Sequence, residues 1–468
     1  MAVSEASTRA GHEPPLARAM VALGATLLTV SQITPAMSVF IVGSQVIAQA
    51  GSGAILAFLA AALVCIPVAL IYAELSSAFP LTGQEYSIVG RVMGPAWGFM
   101  ALGINIVGGA FTQAVTALGL AVYLGLAVPG LPMVPTALAA VTAATLVGIL
   151  NIRVNAIVTG VFLATELATL GAITWLGAAH AHRGLGEIFL HPTFPPAVGH
   201  VAGAPLAIVA LATAGAIFAY NGFGSAVSFG EEVLDARKRI AHVVLWSLVV
   251  AVASEIVPIV AVVAGAPDKV FAAASPVTAF IALGGAWFVK IVGLGVALAI
   301  INAIIATTLI NARQIYAAGR DGVWPAAWNR ALTHIHPHLR SPWVATLVSG
   351  ALSAAMCFVN LATLVTLTAT GIVGTYILVC VSALVGRTTG STDRGHYRMP
   401  LYPITPILAL LAIGGVVLAT GLDPDGRISL AWNGVIMAAF AGYYLIYLRR
   451  RGRWALRGPD GALLAADP

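Results

Sequence analysis

Phe218-Ala219-Tyr220-Asn221-Gly222-Phe223-Gly224-Ser225 interrupts an apolar run that extends from about Pro205 to Gly230. Two glycines two apart, an asparagine and a serine are poor material for a helix interior. Inside a bilayer, unwound backbone leaves N–H and C=O groups without partners, and this is tolerated only where protein, water or a ligand satisfies them. The stretch therefore marks a ligand-facing break in a membrane-spanning helix, and the rest of the chain is read outward from it.

Composition sets the medium. The 468 residues are 59% hydrophobic and 9% charged, with a mean hydropathy of +0.96, whereas soluble domains carry about 25% charged residues. A soluble globular protein is excluded. Apolar runs of about 20 residues separated by short polar joints accommodate about twelve spans and leave no room for a large soluble domain. The expected organisation is an N-terminal tail (residues 1–16), a transmembrane domain (17–448) and a C-terminal tail (449–468). Ala48-Gln49-Ala50 could pass for a signal-peptidase site, but the apolar segment before it is longer than a signal h-region, so it reads as an uncleaved first span. Cys65, Cys357 and Cys380 have no metal-like spacing and read as small core residues.

The net charge of +6 is explained by where the charges lie. With the N-terminus cytoplasmic and twelve spans, only Arg183, Lys269, Lys290 and Arg427 of the 23 Lys and Arg fall outside, leaving 23 − 4 = 19 inside. The positive-inside rule selects this topology, with both termini cytoplasmic in a bacterial-type inner or plasma membrane. The basic clusters are topology signals, and nucleic acid is not an expected partner.

The first span contains Ile33-Thr34-Pro35-Ala36-Met37-Ser38. Proline removes a backbone donor and clashes with the carbonyl four residues earlier, so a kink or break is expected near Thr34. Gln32, Thr34 and Ser38 place polar groups at the same depth, where they usually face a cavity. Span two ends in Glu74, placed near the cytoplasmic end with a loop arginine as its expected partner. Span three carries Asn105, Gly108, Gly109, Thr112, Gln113 and Thr116 at helical spacing, suiting either close helix packing or a translocation path; Asn105 is the better path candidate.

Glu166 stands close to mid-bilayer in span five. A carboxylate there is costly unless protonated, paired or hydrated, which points to proton or cation coupling, with a satisfied structural hydrogen bond as the bland alternative. Glu255, three residues before Pro258 in span seven, is the second such acid. Glu231 and Glu232 lead out of span six to Arg237-Lys238-Arg239 and, with Glu74, are assigned gating or structural roles. Thr307 and Thr308 in span eight offer hard oxygens to Na⁺, although threonines commonly bond their own helix backbone; H⁺ is favoured over Na⁺. The stretch from Gly265 to Leu283 is expected to re-enter or form a short lid helix. Histidines in the 180–200 loop have irregular spacing, and those in His334-Ile335-His336-Pro337-His338 lack Cys or acidic ligands beside them, so no metal and no cofactor are assigned. They also fall in loops or helix ends, away from any catalytic constellation, so an enzyme is not expected.

Breaks at Thr34-Pro35 and Asn221-Gly222 stand at corresponding positions of two five-helix halves, 17–178 and 204–385, with two extra helices at 402–448. Such paired breaks point to an inverted-repeat transporter with a site at the membrane midplane. The fold class is an all-α polytopic membrane protein of twelve helices.

The chain also resembles the amino acid-polyamine-organocation permeases over nearly all its membrane portion. Glu74 to Tyr86 looks like that family's span-two signature of E-L, then P, then G-G-x-Y. Tyr220 to Arg239 is similar to its Y-x-G-F followed by E-E and basic residues, and Ala312-Arg313 through Trp324-Pro325 to its S-R and R-D-G-x-x-P segment. The resemblance implies a leucine-transporter-type 5+5 inverted repeat with broken helices 1 and 6, and transport by rocking of a bundle of spans one, two, six and seven. Three departures stand out. Span one has Ile33 to Ser38 where many members have a glycine-rich break, resembling instead the T-P-containing span of putrescine permeases. Gln84 replaces one glycine of the usual pair. Glu166 lies near where some proton-coupled members carry a lysine.

Broken helices suit a zwitterion: N–H groups after each break meet a carboxylate, and free carbonyls before it meet an ammonium. The expected substrate contacts are Ile33, Thr34, Pro35, Ala36, Met37, Ser38, Asn105, Tyr220, Asn221, Gly222, Phe223, Gly224 and Ser225, with Tyr220 and Phe223 also able to gate the pocket. The expected function is secondary active transport of a small amino acid, coupled to H⁺ through Glu166 or Glu255. An organic amine or polyamine permease, or an amino acid exchanger, is the alternative. Lipids are the surrounding medium, and the oligomeric state does not follow from the sequence.

Overall fold

An apolar chain whose joints carry the polar residues builds one helix after another, and the fold is the way those helices share their few polar faces. The computed structural model describes residues 20–194, 205–422, 424–452 and 454–458. The expected N-terminal tail over 1–16, residue 204, His200, the last ten residues of the C-terminal tail, and Arg9, Arg18 and Arg453 of the charge count lie outside the described residues.

The first half begins with α1 (Ala22–Ile33), then α2 (residues 35–50), which has a π-helical centre at Ser38–Gly43, and α3 (Ala54–Ala78). A short α4 (Gln84–Val92) is followed by α5 (Pro95–Leu124), α6 (Met133–Gly148) and α7 (Ile152–Ala179). In the second half, α8 (Pro205–Ala219) gives way to a 3₁₀ run, Phe223–Phe229, before α9 (Ala236–Gly265). Then come α10 (Ala286–Arg320), α11 (Trp343–Met356), α12 (Leu361–Thr389), α13 (Ile404–Leu422) and α14 (residues 424–448). Among the described residues there is no strand, only an isolated bridge between Met20 and Val233.

Nine helical stretches among the described residues are long and apolar enough to cross a membrane, the first being the 57-residue Ala22–Ala78; α6 and α11 are shorter apolar helices. The outer faces carry exposed Leu63, Trp175, Trp246, Leu411 and Leu418, while Glu74, Gln113, Glu166, Glu255 and Asn302 are buried inside. That arrangement, apolar outside and polar within, is the one a hydrocarbon solvent selects. Asn151 and Asn360 cap α7 and α12 by accepting the N–H groups of Arg153 and Ala362, each at 2.9 Å, satisfying donors that a helix start leaves free.

The two halves interlock. α9 packs on α3 and α7, α1 packs on α7 and α9, and α8 lies on α3; α5 is the hub of the remainder, touching α10, α12 and α14. The stretch expected to form a lid folds as two short helices, Asp268–Phe271 and Pro276–Ile281, the second docked on α2 where the Val277 N–H donates to the Ser44 hydroxyl at 3.2 Å.

Small residues set the closest crossings. A Cβ on Gly177 of α7 would lie 2.3 Å from the Ala261 carbonyl oxygen of α9, and one on Gly265 would lie 2.6 Å from the Gly177 carbonyl oxygen. Both obstacles are backbone and cannot rotate away, which is the use of small residues at membrane helix crossings. Gly177→Ala is expected to destabilise the fold by about 1–3 kcal/mol through overpacking, read as a lowered melting temperature of the detergent-solubilised protein; an unchanged melt means the helices shift freely.

Candidate functional site

The two breaks meet. α1 ends at Thr34, a β-branched residue held at φ 56°, and Pro35 opens α2. Left-handed backbone is costly for such a residue. It is anchored by its N–H donating to the Val30 carbonyl at 3.1 Å and its hydroxyl to the Ser31 carbonyl at 3.2 Å. At the second break, α8 stops at Ala219 and Gly222 sits at φ 127°. A Cβ there would lie 2.4 Å from Gln32 Oε1 and 2.8 Å from Ile33 Cγ1, so glycine is required by both conformation and space. The Ser38 hydroxyl donates to the Ala219 carbonyl at 3.1 Å, and the Ser225 hydroxyl to Gly222 O at 2.6 Å and Gln32 Oε1 at 3.1 Å. Each break thus satisfies loose ends of the other.

Beside them lies a cavity of about 120 Å³. Asn105, Asn221, Gly222, Gly224 and Ser225 of the expected contacts line it. So do residues not selected from the sequence as contacts: Tyr72, Gln84, Glu85, Asn311, Gln314 and Tyr376 are among its walls. Tyr376 donates to Asn221 Oδ1 at 2.6 Å. Glu85 accepts from the Tyr72 hydroxyl at 2.7 Å and from Asn105 Nδ2 at 2.8 Å, while Asn105 Oδ1 accepts from Thr375 at 3.1 Å. Burial pushes the Glu85 carboxyl above the usual carboxylate range, and the bonds from Tyr72 and Asn105 pull partly back. Gln84 stands at φ 51°, which explains why a glycine suits this position in the resembling sequences. A separate apolar cavity of about 380 Å³ between α3, α8, α12, α13 and α14 shares only the Tyr376 and Ile372 wall.

The other expected contacts lie outside the cavity lining. Ile33, Thr34, Pro35 and Ala36 are buried within the break, Met37 is half-buried, and Ser38 is turned to Ala219. Tyr220 is fully buried edge-on to Phe58, its hydroxyl donating to the Phe58 carbonyl at 3.3 Å. Phe223 is wedged between the rings of Tyr72 and Tyr376, at 5.9 and 6.3 Å.

Glu166 reaches across from α7 to accept the Ala36 N–H at 2.8 Å, at the start of the helix after the break, and its second oxygen has no partner among the described residues. A carboxylate at that place faces the positive end of the α2 dipole. Glu255 lies near Ser38, Tyr220 and Cys65, within electrostatic reach of Glu166, and neither of its oxygens has a partner among the described residues. Thr308 donates to its own helix at Ile304 O (2.7 Å) and accepts from Gln113 Nε2 (2.6 Å), whose Oε1 accepts from Ser353 (2.8 Å); Thr307 is buried beside it.

The three assigned gate acids each hold an arginine. Glu74 pairs with Arg387 at 2.6 and 2.7 Å and accepts the Met399 N–H at 2.7 Å. Its partner is thus on helix α12 rather than in a loop. Glu231 binds Arg320 at 2.7 Å and the hydroxyl of Thr82 at 2.9 Å. Glu232 and Arg313 form a two-bonded buried pair, with Arg313 also over the Phe229 ring at 5.1 Å. These pairs tie the second break to α10 and the end of α3 to α12.

Comparison with known proteins places this arrangement. The profile of a family described as amino acid permease matches residues 22–445. The chain is 29% identical over 410 residues to an uncharacterized transporter of Mycobacterium tuberculosis, covering 86% of each chain. It is 25% identical over 433 residues to a branched-chain amino acid permease of Lactococcus lactis, covering 88% of this chain and 91% of that one. It is also 24% identical over 408 residues to a methylthioribose transporter of Bacillus subtilis, covering 84% and 86%.

Removing one partner of a buried ion pair strands the other charge and costs about 3–5 kcal/mol, while apolar replacement of both is much milder. Arg313→Met is therefore expected to lower the melting temperature sharply, and the double change Arg313→Met with Glu232→Met to recover most of it. Additive losses would show that the two side chains act independently.

Proposed function

Because the chain belongs to the amino acid permease family, within the amino acid-polyamine-organocation superfamily, we propose that it is a secondary active carrier of small amino acids driven by a proton gradient. It is a multi-pass membrane transporter and not an enzyme. The observation that carries the reading is the meeting of two helix breaks beside a polar cavity, with a deep carboxylate bonded to one of them.

In this reading the chain crosses the membrane twelve times. The 57-residue stretch turns back at Gly51–Gly53 into two spans, and α6 and α11 supply the two short ones. Residues 17–178 and 204–385 form the inverted repeats, 402–448 add the last two helices, and the arginine-rich ends and both termini are cytoplasmic. The substrate carboxylate is received at the second break, where the first N–H groups of the run from Phe223 have no acceptor within their own helix. The first break is arranged differently, since its Ala36 N–H is taken by Glu166.

That bond gives the coupling step its physical form. A neutral Glu166 carboxyl sits at the α2 N-terminus as a weak acceptor; once ionised it is held there by the helix dipole. Gain and loss of the proton thereby bias the angle at which α2 leaves the break, and Glu255 is the second candidate for the same role. The ion pairs of Glu74, Glu231 and Glu232 close the cytoplasmic side and must part as the bundle of spans one, two, six and seven rocks against the rest.

Proteoliposomes containing the wild type should accumulate at least one radiolabelled amino acid from a full panel, and more so when the side of entry is acidic. Glu166→Gln keeps an acceptor for Ala36 but cannot titrate, so it is expected to bind substrate and to lose stimulation by the pH gradient. Unchanged stimulation removes Glu166 from the mechanism, and a requirement for Na⁺ instead transfers the coupling to sodium.

A further inference from the structure

We propose that Glu85 is the counter-charge for a cationic nitrogen of the substrate, so that the central cavity takes small solutes bearing a protonated amine, with the Gln84 amide donating to an acceptor atom on the same solute. This rests on the carrier reading above and names the groups held in its site.

Five buried carboxylates cluster toward the arginine-rich ends of the helices. Glu74, Glu231, Glu232 and Asp321 each have an arginine. Glu85, equally buried at 6% exposure, has none: among the described residues its partners are the neutral Tyr72 and Asn105. A carboxylate can accept about four hydrogen bonds, more than Tyr72, Asn105 and its own backbone N–H supply, so acceptor positions stay open. They belong to a side chain on the wall of the cavity, where every other lining residue is formally neutral. An anion withdrawn from water without a cation is a standing cost that an arriving cation removes.

Gln84 is the independent second observation. The residue is 4% exposed, lines the same cavity, and its Nε2 donates to nothing among the described residues. Its backbone is held at φ 51° although glycine would be unstrained there. Unrelieved backbone strain and an unspent buried donor at one position are features of residues kept for a ligand.

A bare metal ion does not match this wall as the cation. Hard cations need several converging oxygen acceptors, whereas Glu85 is the single carboxylate among the lining residues and already accepts from Tyr72 and Asn105 Nδ2. An ammonium accepted by one carboxylate fits, and the Tyr72 ring, packed against Gly224, sets that ammonium one ring away from the N–H groups of the second break. A cavity near 150 Å³ holds benzene, so about 120 Å³ suits a solute of about six heavy atoms.

The test uses the full-length protein in detergent and in proteoliposomes. The probes are L-alanine and L-leucine, the amines left by removing their carboxylates (ethylamine and isoamylamine) and the acids left by removing their amines (propionate and isocaproate). The wild type is expected to bind an amino acid and its amine but not its acid. Glu85→Gln should weaken that binding about tenfold or more, with the ligand-free melting temperature retained, and Glu85→Asp should keep part of it. Gln84→Gly should raise the melting temperature by relieving strain yet weaken binding severalfold, a combination that a purely structural glutamine does not produce. Acids that bind as well as amino acids, or a Glu85→Gln protein that accumulates an amino acid with affinity within about twofold of wild type, overturn the assignment while leaving the carrier reading intact. A wild type that binds none of the probes and accumulates no amino acid overturns both. Should Glu85→Gln not fold, unchanged affinity in Glu85→Asp and Gln84→Gly together overturns the assignment.

Discussion

A helix that stops inside an apolar slab leaves N–H and C=O groups that neither lipid nor water can satisfy, and this structure depends on how two such stops are reconciled. The one that governs the rest is the bond from the Ala36 N–H to Glu166, drawn between residues 130 apart in sequence. It fills the donor that Pro35 exposes, fixes α7 against the first break and places an ionisable group on a helix dipole. The second break answers from the other side: Ser38 bonds the last carbonyl of α8, and Gln32 packs where a Gly222 side chain would stand. Because each break supplies partners to the other, neither can move without disturbing its counterpart.

From that junction the polar groups divide by purpose. Those at the arginine-rich ends are paired as full charges, Glu74 with Arg387, Glu231 with Arg320 and Glu232 with Arg313. Such pairs contribute little net stability when intact, but separating one strands two buried charges, so they hold the elements they join in a discrete arrangement. Groups around the cavity are neutral amides, hydroxyls and phenols, apart from Glu85. Glu166 and Glu255 belong to neither class: they are deep and, among the described residues, lack an arginine or lysine partner and retain unpartnered oxygens.

Much of the membrane architecture was legible. Pro35 and Gly222 announced the breaks through backbone chemistry that is local to each residue, and apolar run lengths announced long helices, nine of which among the described residues are long and apolar enough to cross a membrane. Glu85 was harder. It sits in the short stretch after α3, where a glutamate ordinarily meets water, and only the folding back of α4 against α5 and α12 turns it into the cavity. Gln84 showed as a missing glycine, but its left-handed backbone and idle amide were not visible. Glu74 was expected to find an arginine nearby in a loop and found Arg387 on a helix 313 residues away.

Sequence by itself determined the solvent, the helical class and the positions where helices must break, because hydropathy, proline and glycine act within a turn or two of their own position. Pairing was decided only by tertiary structure. Which N–H Glu166 caps, which carboxylate is left without an arginine, and whether Tyr220 and Phe223 face a ligand or pack in the core all depend on helices brought together from distant parts of the chain. At the stretch around Asn221 the residues dictate that backbone groups are freed; the walls built by α1, α3, α5 and α12 decide what those groups can meet.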